Sequence, residues 1–292
     1  MPFLAINIDI DPTMFDLGPL TLTWHGFFTA VGIIAGVWLA VALCKRDGIP
    51  TEIAQEIALV GVPSAIVGAR LFYVFEHWDK FSGDIPRIVT GLTEGGITLY
   101  GGLLGGVLGG LAYSLWKKLP IAITLDAAAP GMLLGQALGR VGDLINGEHW
   151  ADASSLPWAF RYTNPNTLGE IGKAVQPTAG GYELVGDVII LGLLLFVFRR
   201  IFRTPGWLFC TYMVLYGALR FVLSFTRTNE QVIGSVPVPQ LVSGIIVGAA
   251  LVLASILMRW PGPITPEFVA RIRRQHPEAG EPPSATPDTA IF

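Results

Sequence analysis

Three arginines, Arg70, Arg140 and Arg220, each interrupt an otherwise apolar stretch of the chain. An ionised side chain inside a membrane span is costly and faces a cavity or a partner. The guanidinium group is a planar fork of N–H donors suited to phosphate oxygens. Three such groups at one depth describe a site for a phospholipid headgroup. The competing reading is snorkelling to the interface or pairing with Glu76, Glu94 or Glu183. Around Arg140 runs the densest polar cluster of the apolar region, Gly139-Arg140-Val141-Gly142-Asp143-Leu144-Ile145-Asn146-Gly147-Glu148-His149-Trp150. Glycines on both sides of the arginine permit close backbone approach. An ordinary helix end would explain Asn146 and Gly147, but not an arginine beside Asp143 and Glu148. His25, in Trp24-His25-Gly26, reads equally as an interfacial residue or a functional one. His77, His149 and His276 read as structural or solvated. Glu148, His149 and Asp152 are poorly spaced for a metal, so no metal or other cofactor is expected.

These residues need a membrane scaffold. The chain is 52% apolar and 14% charged, against about 25% charged in a soluble domain. Stretches 17–44, 95–116 and 238–258 contain no Asp, Glu, Lys or Arg, and about 20 residues suffice to cross the hydrocarbon layer. A soluble enzyme and a disordered chain are excluded. The net charge of −3 lacks the basic footprint of a nucleic-acid binder. Seven hydrophobic segments follow, at 20–44, 53–77, 96–116, 121–143, 184–203, 205–226 and 238–260. Lys45, Arg46, Lys117, Lys118, Arg199, Arg200 and Arg203 fall on one side, which the positive-inside rule makes the cytoplasmic one. The expected fold is an all-α integral membrane protein of about seven transmembrane helices, N-terminus out and C-terminus in. Residues 1–260 form the membrane domain, with a small aromatic outer cap at 144–183. The Pro-rich tail, 261–292, reads as disordered and cytoplasmic, with one short helix at 266–275. Asp9, Asp11 and Asp16 precede the first span and no basic residue does, the reverse of a cleavable signal peptide.

Counted from their inner ends, the second, fourth and sixth segments carry the three arginines about 22–29 Å up, at about 1.5 Å per residue. All three reach the outer headgroup level. Glycine pairs recur every four residues from Gly101 to Gly110, a smooth face for tight helix packing. Tyr100 stands at the outer start of that face, level with the arginines. A Gly-x-Ser-x-Gly elbow is absent. The reading leaves no strand for a nucleotide-binding glycine loop to follow. Cys44 and Cys210 form neither a disulfide framework nor a zinc site.

The segment from Gly139 to Trp150 resembles the signature of prolipoprotein diacylglyceryl transferases. Other pieces fall in the same order. They are Leu17-Gly18-Pro19-Leu20 with Trp24-His25-Gly26, Gly68-Ala69-Arg70-Leu71-Phe72-Tyr73, Glu94-Gly95-Gly96-Ile97 with Tyr100-Gly101-Gly102, and Tyr216-Gly217-Ala218-Leu219-Arg220. The likeness covers about residues 10–260. Where the family has Tyr this chain has His25, and where it has His this chain has Tyr100. Asp143, Ala151 and Ser224 replace its Asn, Gly and Glu. Gln176 to Glu183 stands where the family carries His-Pro-Ser-Gln-x-Tyr-Glu. The exchange of Tyr and His leads to the expectation that His25 and Tyr100 face one another with roles reversed.

The resemblance implies transfer of a diacylglyceryl group from phosphatidylglycerol to the lipobox cysteine of a prolipoprotein signal peptide, in a bacterial cell membrane. On that reading Arg140 and Arg220 hold the departing phosphate. Arg70 assists or braces a glutamate. Asn146 and Glu148 position Arg140, and Asp143 lies within the substrate site. His25 is the first candidate base for the thiol, with Tyr100 orienting it or donating to phosphate. The donor is already activated as a phosphodiester, so neither metal nor nucleotide is called for. Two other readings stay open. One is a sister transferase or lipid-binding paralogue that uses the same phospholipid with another acceptor. The other is an anion channel, which would need polar residues through the full depth of the bundle.

Overall fold

The computed structural model describes residues 5–18, 20–83, 86, 88, 98–147, 151–228, 232–233 and 236–257, with single helical positions at 267, 270, 271 and 274. Among them are seven principal helices: α1 (Trp24–Arg46), α2 (Thr51–Glu76), α3 (Leu99–Trp116), α4 (Ile121–Asn146), α5 (Leu184–Leu193), α6 (Trp207–Ser224) and α7 (Val238–Leu257). Five of them, α1, α2, α4, α6 and α7, are long and apolar enough to cross a membrane. Helix α5 is shorter, but it is extended by wide π-helical turns at Thr178–Glu183 and Leu194–Phe198. Ile34, Trp38, Leu59, Phe75 and Trp116 are each at least two-thirds exposed. A water-soluble fold would hide such side chains, whereas a bilayer solvates them. The expected all-α membrane class is what the helices form.

The expectation of no strands is corrected at the periphery. Short strands β1 (Ile6–Ile8), β2 (Thr13–Leu17), β3 (Leu20–Thr23), β4 (Phe160–Tyr162) and β5 (Ala174–Val175) are present. Strand β1 runs parallel to β4, which pairs antiparallel with β5. The β2–β3 hairpin turns at Gly18, whose φ of +63° suits glycine. These strands are too short to leave a periodic signal, and β1 and β4 are far apart in sequence as well.

The chain divides into two compact units, Met1–Leu39 with Leu125–Ile264 and Ala40–Thr124 with Thr265–Phe292. In the first, α1 meets α4 through a glycine seam. A Cβ on Gly32 would lie 2.7 Å from the Gly135 carbonyl oxygen, and one on Gly36 2.5 Å from that of Gly131. Ala129 and Leu133 of α4 pack with Ile190, Leu194, Leu208 and Tyr212 to form this unit's core. Asp126 of α4 reaches the start of α6, where its carboxylate accepts the backbone N–H of Gly206 at 2.7 Å and of Phe209 at 2.8 Å. It thereby serves as a cap supplied by a neighbouring helix. In the second unit, Gly101 and Gly105 of α3 lie against Ser64 and Gly68 of α2, so close that a Cβ on Gly68 would come within 2.7 Å of the Gly105 Cα. The glycine pairs thus serve packing, as their spacing predicts.

Candidate functional site

The site begins where α4 ends. Gly147, at φ +70°, terminates the helix, and its N–H bonds back to the Asp143 carbonyl at 3.0 Å. A Cβ there would lie 2.6 Å from Thr167 Oγ1 and 2.9 Å from the Tyr162 ring, so only glycine admits the cap this closely. The cap is tied down at the same place. The Asn146 carbonyl accepts Leu168 N and Thr167 Oγ1, both at 3.1 Å, and the Leu144 carbonyl accepts the Tyr162 hydroxyl at 3.0 Å. Burial, and then the nearby charge of Asp143, push the Tyr162 phenol above its ordinary pKa and keep it a donor. A cavity with room for about one water lies between Asp143, Tyr162, Gln176 and Thr178.

Beyond the cap, the π-turn Thr178–Glu183 presses Gly180 against Leu144. That contact swings Glu183 under the arginine of α4. Glu183 is fully buried, and four donors converge on it. Arg140 Nη2 at 2.5 Å and the Tyr216 hydroxyl at 3.4 Å reach Oε1. Arg220 Nη1 at 3.2 Å and Arg227 Nη2 at 2.8 Å reach Oε2. Arg140 divides its fork, because Nη1 donates to Asp143 Oδ2 at 2.5 Å. On the other side of that carboxylate, His25 Nδ1 stands 2.9 Å from Oδ1. The result is a continuous line of His25, Asp143, Arg140 and Glu183, which then branches to Arg220, Arg227 and Tyr216. One turn beyond Glu183, Asp187 is also fully buried, and neither of its oxygens has a hydrogen-bond partner among the described residues.

Arg140, Arg220, Asp143 and His25, all singled out in the sequence, are therefore brought together. Arg70 has other neighbours. In its own unit, its Nε donates to the Ile88 carbonyl at 2.9 Å, and its guanidinium lies over the rings of Tyr73 and Phe81. Asn146 is buried, and its described contribution is the carbonyl that anchors the cap. Glu148 and the side chain of Tyr100 lie outside the described residues, and so does the expected facing of His25 and Tyr100. The sequence reading did not single out Arg227. A signal existed in the spacing, since a helical period carried past the end of α6 at Ser224 would put the residue seven after Arg220, about two turns on, at the same face. A backbone bridge from Arg227 to Ala151 holds it against the cap. Glu183 was weighed only as one possible partner for an arginine.

Three guanidinium groups close around the two carboxylates they bind. Such a cluster suits a tetrahedral oxyanion, which offers several acceptor oxygens to planar forks. Arg140 and Arg220 each keep 14% of the side chain accessible, enough for an anion to meet them from outside. The sequence profile of the prolipoprotein diacylglyceryl transferases matches residues 12–256.

The chain belongs to the prolipoprotein diacylglyceryl transferase family.

It is similar to the phosphatidylglycerol–prolipoprotein diacylglyceryl transferase of Dehalococcoides mccartyi, 32% identical over 270 residues, which are 92% of this chain and 96% of the relative. The enzyme of the same name from Finegoldia magna is 35% identical over 84% of this chain and 94% of its own length. That of Clostridioides difficile is 32% identical over 82% and 93%. A diacylglyceryl transferase must hold a phosphate while a carbon–oxygen bond to it breaks, and the arginine cluster is chemically suited to that task.

Proposed function

We propose that this chain transfers the diacylglyceryl group of phosphatidylglycerol to the lipobox cysteine thiol of a prolipoprotein, the first step of bacterial lipoprotein maturation. The observation that carries the reading is the convergence of Arg140, Arg220 and Arg227 at a buried carboxylate. A phosphate arriving there shares or replaces the contacts of Glu183. Arg140 and Arg220 then neutralise the charge that grows on the leaving phosphate. The thiol must become a thiolate to attack, and His25, which meets the arginine line at Asp143, serves as the base. The products are a thioether-linked lipid and glycerol phosphate. The basic flanks of the apolar segments support a plasma-membrane enzyme with its N-terminus outside and its site at the outer leaflet. Both substrates are then bilayer-embedded and approach sideways beneath the cap.

The test uses the purified full chain in phosphatidylglycerol vesicles with a lipobox peptide, reading thioether formation by mass spectrometry. Wild type forms the lipidated peptide, and Arg140→Ala and Arg220→Ala abolish it. Release of glycerol phosphate without peptide lipidation would refute the peptide as acceptor and put the diacylglyceryl group on another nucleophile, water or lipid, which mass spectrometry of the lipid fraction identifies.

A further inference from the structure

Asp143 was read as part of the substrate site, yet one of its oxygens is bonded to Arg140 and the other makes a close ion-pair contact with His25, without the alignment of a hydrogen bond. Oδ2 accepts Arg140 Nη1, and Oδ1 lies 2.9 Å from His25 Nδ1. The Asp143 side chain is 3% accessible and that of His25 40%. The Nδ1 atom itself is buried, so the accessible surface of the ring belongs to its other atoms. The backbone enforces this arrangement. A Cβ on Gly142 would lie 2.7 Å from the His25 Cα, so α4 touches α1 backbone to backbone at the residue before Asp143.

We propose that Asp143 is a positioning residue for His25: it holds the imidazole proton on Nδ1 and so presents Nε2 as the acceptor of the substrate thiol's proton. The proposal rests on the diacylglyceryl-transfer reading and adds to it the atom that takes the proton. A carboxylate oxygen 2.9 Å from one ring nitrogen selects the tautomer, because two lone pairs at that distance repel and the proton therefore sits on that nitrogen. In the reaction, the S–H proton moves to Nε2 and the sulfur electron pair attacks the glyceryl carbon. The C–O bond breaks and its pair leaves on the phosphate oxygen. The proton on Nε2 then passes to the departing glycerol phosphate. Between those steps the ring is an imidazolium, and Asp143 faces its charge. Arg140 behind the carboxylate fixes its rotation, and Tyr162 of the cap senses the same charge.

Asparagine at 143 would preserve size and invert the function. Arg140 needs an acceptor, so the single amide oxygen turns to it. The NH2 group then points at Nδ1, which must accept, and the ring proton moves to Nε2, where it faces the thiol.

The experiment uses the full chain in lipid nanodiscs with 15N-labelled histidine. His77, His149 and His276 are replaced by Gln, so that the only histidine signals are those of His25. The expected spectrum of the neutral ring has Nδ1 protonated and Nε2 bare, with the assignment reversed in Asp143→Asn. In turnover with phosphatidylglycerol vesicles and a cysteine peptide, Asp143→Asn should lose about 10²–10⁴ in kcat. The KM for phosphatidylglycerol should stay within about threefold, as for an interaction made only in the transition state. A wild-type ring protonated on Nε2 overturns the proposal. A variant with raised KM and intact kcat overturns it too, by returning Asp143 to headgroup binding. A chain that never lipidates the peptide sinks the reaction reading but leaves the tautomer result to decide this one. Should Asp143→Asn fail to fold, the wild-type spectrum decides alone.

Discussion

Replacing Glu183 with glutamine takes one negative charge from beneath three guanidinium groups. The wild-type carboxylate is fully buried and accepts from Arg140, Arg220, Arg227 and Tyr216. Glutamine keeps one acceptor oxygen. Its NH2 group must point at one of the two pairs of donors, so at least one guanidinium loses its partner. Breaking a buried ion pair by removing one member costs about 3–5 kcal/mol. At about 2 °C per kcal/mol for a chain of this size, the melting temperature falls by about 6–10 °C. Cys44 and Cys210 are buried, 1% and 3% exposed, so a thiol-reactive fluorogenic dye reports unfolding. A Cys44→Ser background confines the signal to Cys210, in the unit that holds Glu183. Inorganic phosphate at about 100 times its Kd returns about 2.7 kcal/mol, or about 5 °C. The gain in wild type is smaller, because Glu183 competes for the same donors. A variant that melts within a degree of wild type, or equal phosphate gains in both proteins, would refute the view that Glu183 holds these arginines together.

The remaining predictions concern the frame around the site. Gly142→Ala forces a methyl group into the His25 backbone at 2.7 Å, costing about 1–3 kcal/mol as overpacking and most of the turnover. Gly139→Ala, with no described atom within 4 Å of its Cβ, leaves both melting and turnover unchanged. Asp126→Ala removes the acceptor of the Gly206 and Phe209 amides. It lowers stability by about 1–2 kcal/mol with full activity at low temperature, read as a melting shift without a kcat change. Asp11 accepts the Thr13 amide and the Asn166 side chain, and these bonds, the Thr13 one foremost, hold its pKa below the ordinary 3.8. Its stabilisation is therefore present above 3.8 and lost as the pH falls through the lower folded value. Amide exchange at Thr13 should quicken there, and Asp11→Asn should lose that pH response.

The helices were legible because a bilayer rewards long uncharged runs, and the segments at 20–44, 53–77 and 121–143 contain most of α1, α2 and α4. The glycine repeat of α3 was legible for a similar reason, since a four-residue period is a helix face. Arg140, Arg220 and Asp143 stood out because charge in an apolar stretch demands a partner. Who the partner is depends on contacts between distant parts of the chain. Glu183 reaches Arg140 only because a π-turn lays Gly180 on Leu144, and no local pattern records that turn. Arg70 shared a calculated depth with the other two arginines, but it belongs to the other unit, where its side chain lies over Tyr73 and Phe81. The pairing of β1 with β4 joins the N-terminal strand to the cap across most of the membrane domain, a distance that periodicity does not bridge.

An enzyme that alkylates sulfur has reason to keep its own sulfur out of reach. The chain's two sulfhydryls, Cys44 at the end of α1 and Cys210 in the first turn of α6, are both enclosed by packed side chains. Neither can meet a glycerol carbon without unfolding its surroundings. The catalyst can sit among an excess of donor lipid without becoming its own acceptor.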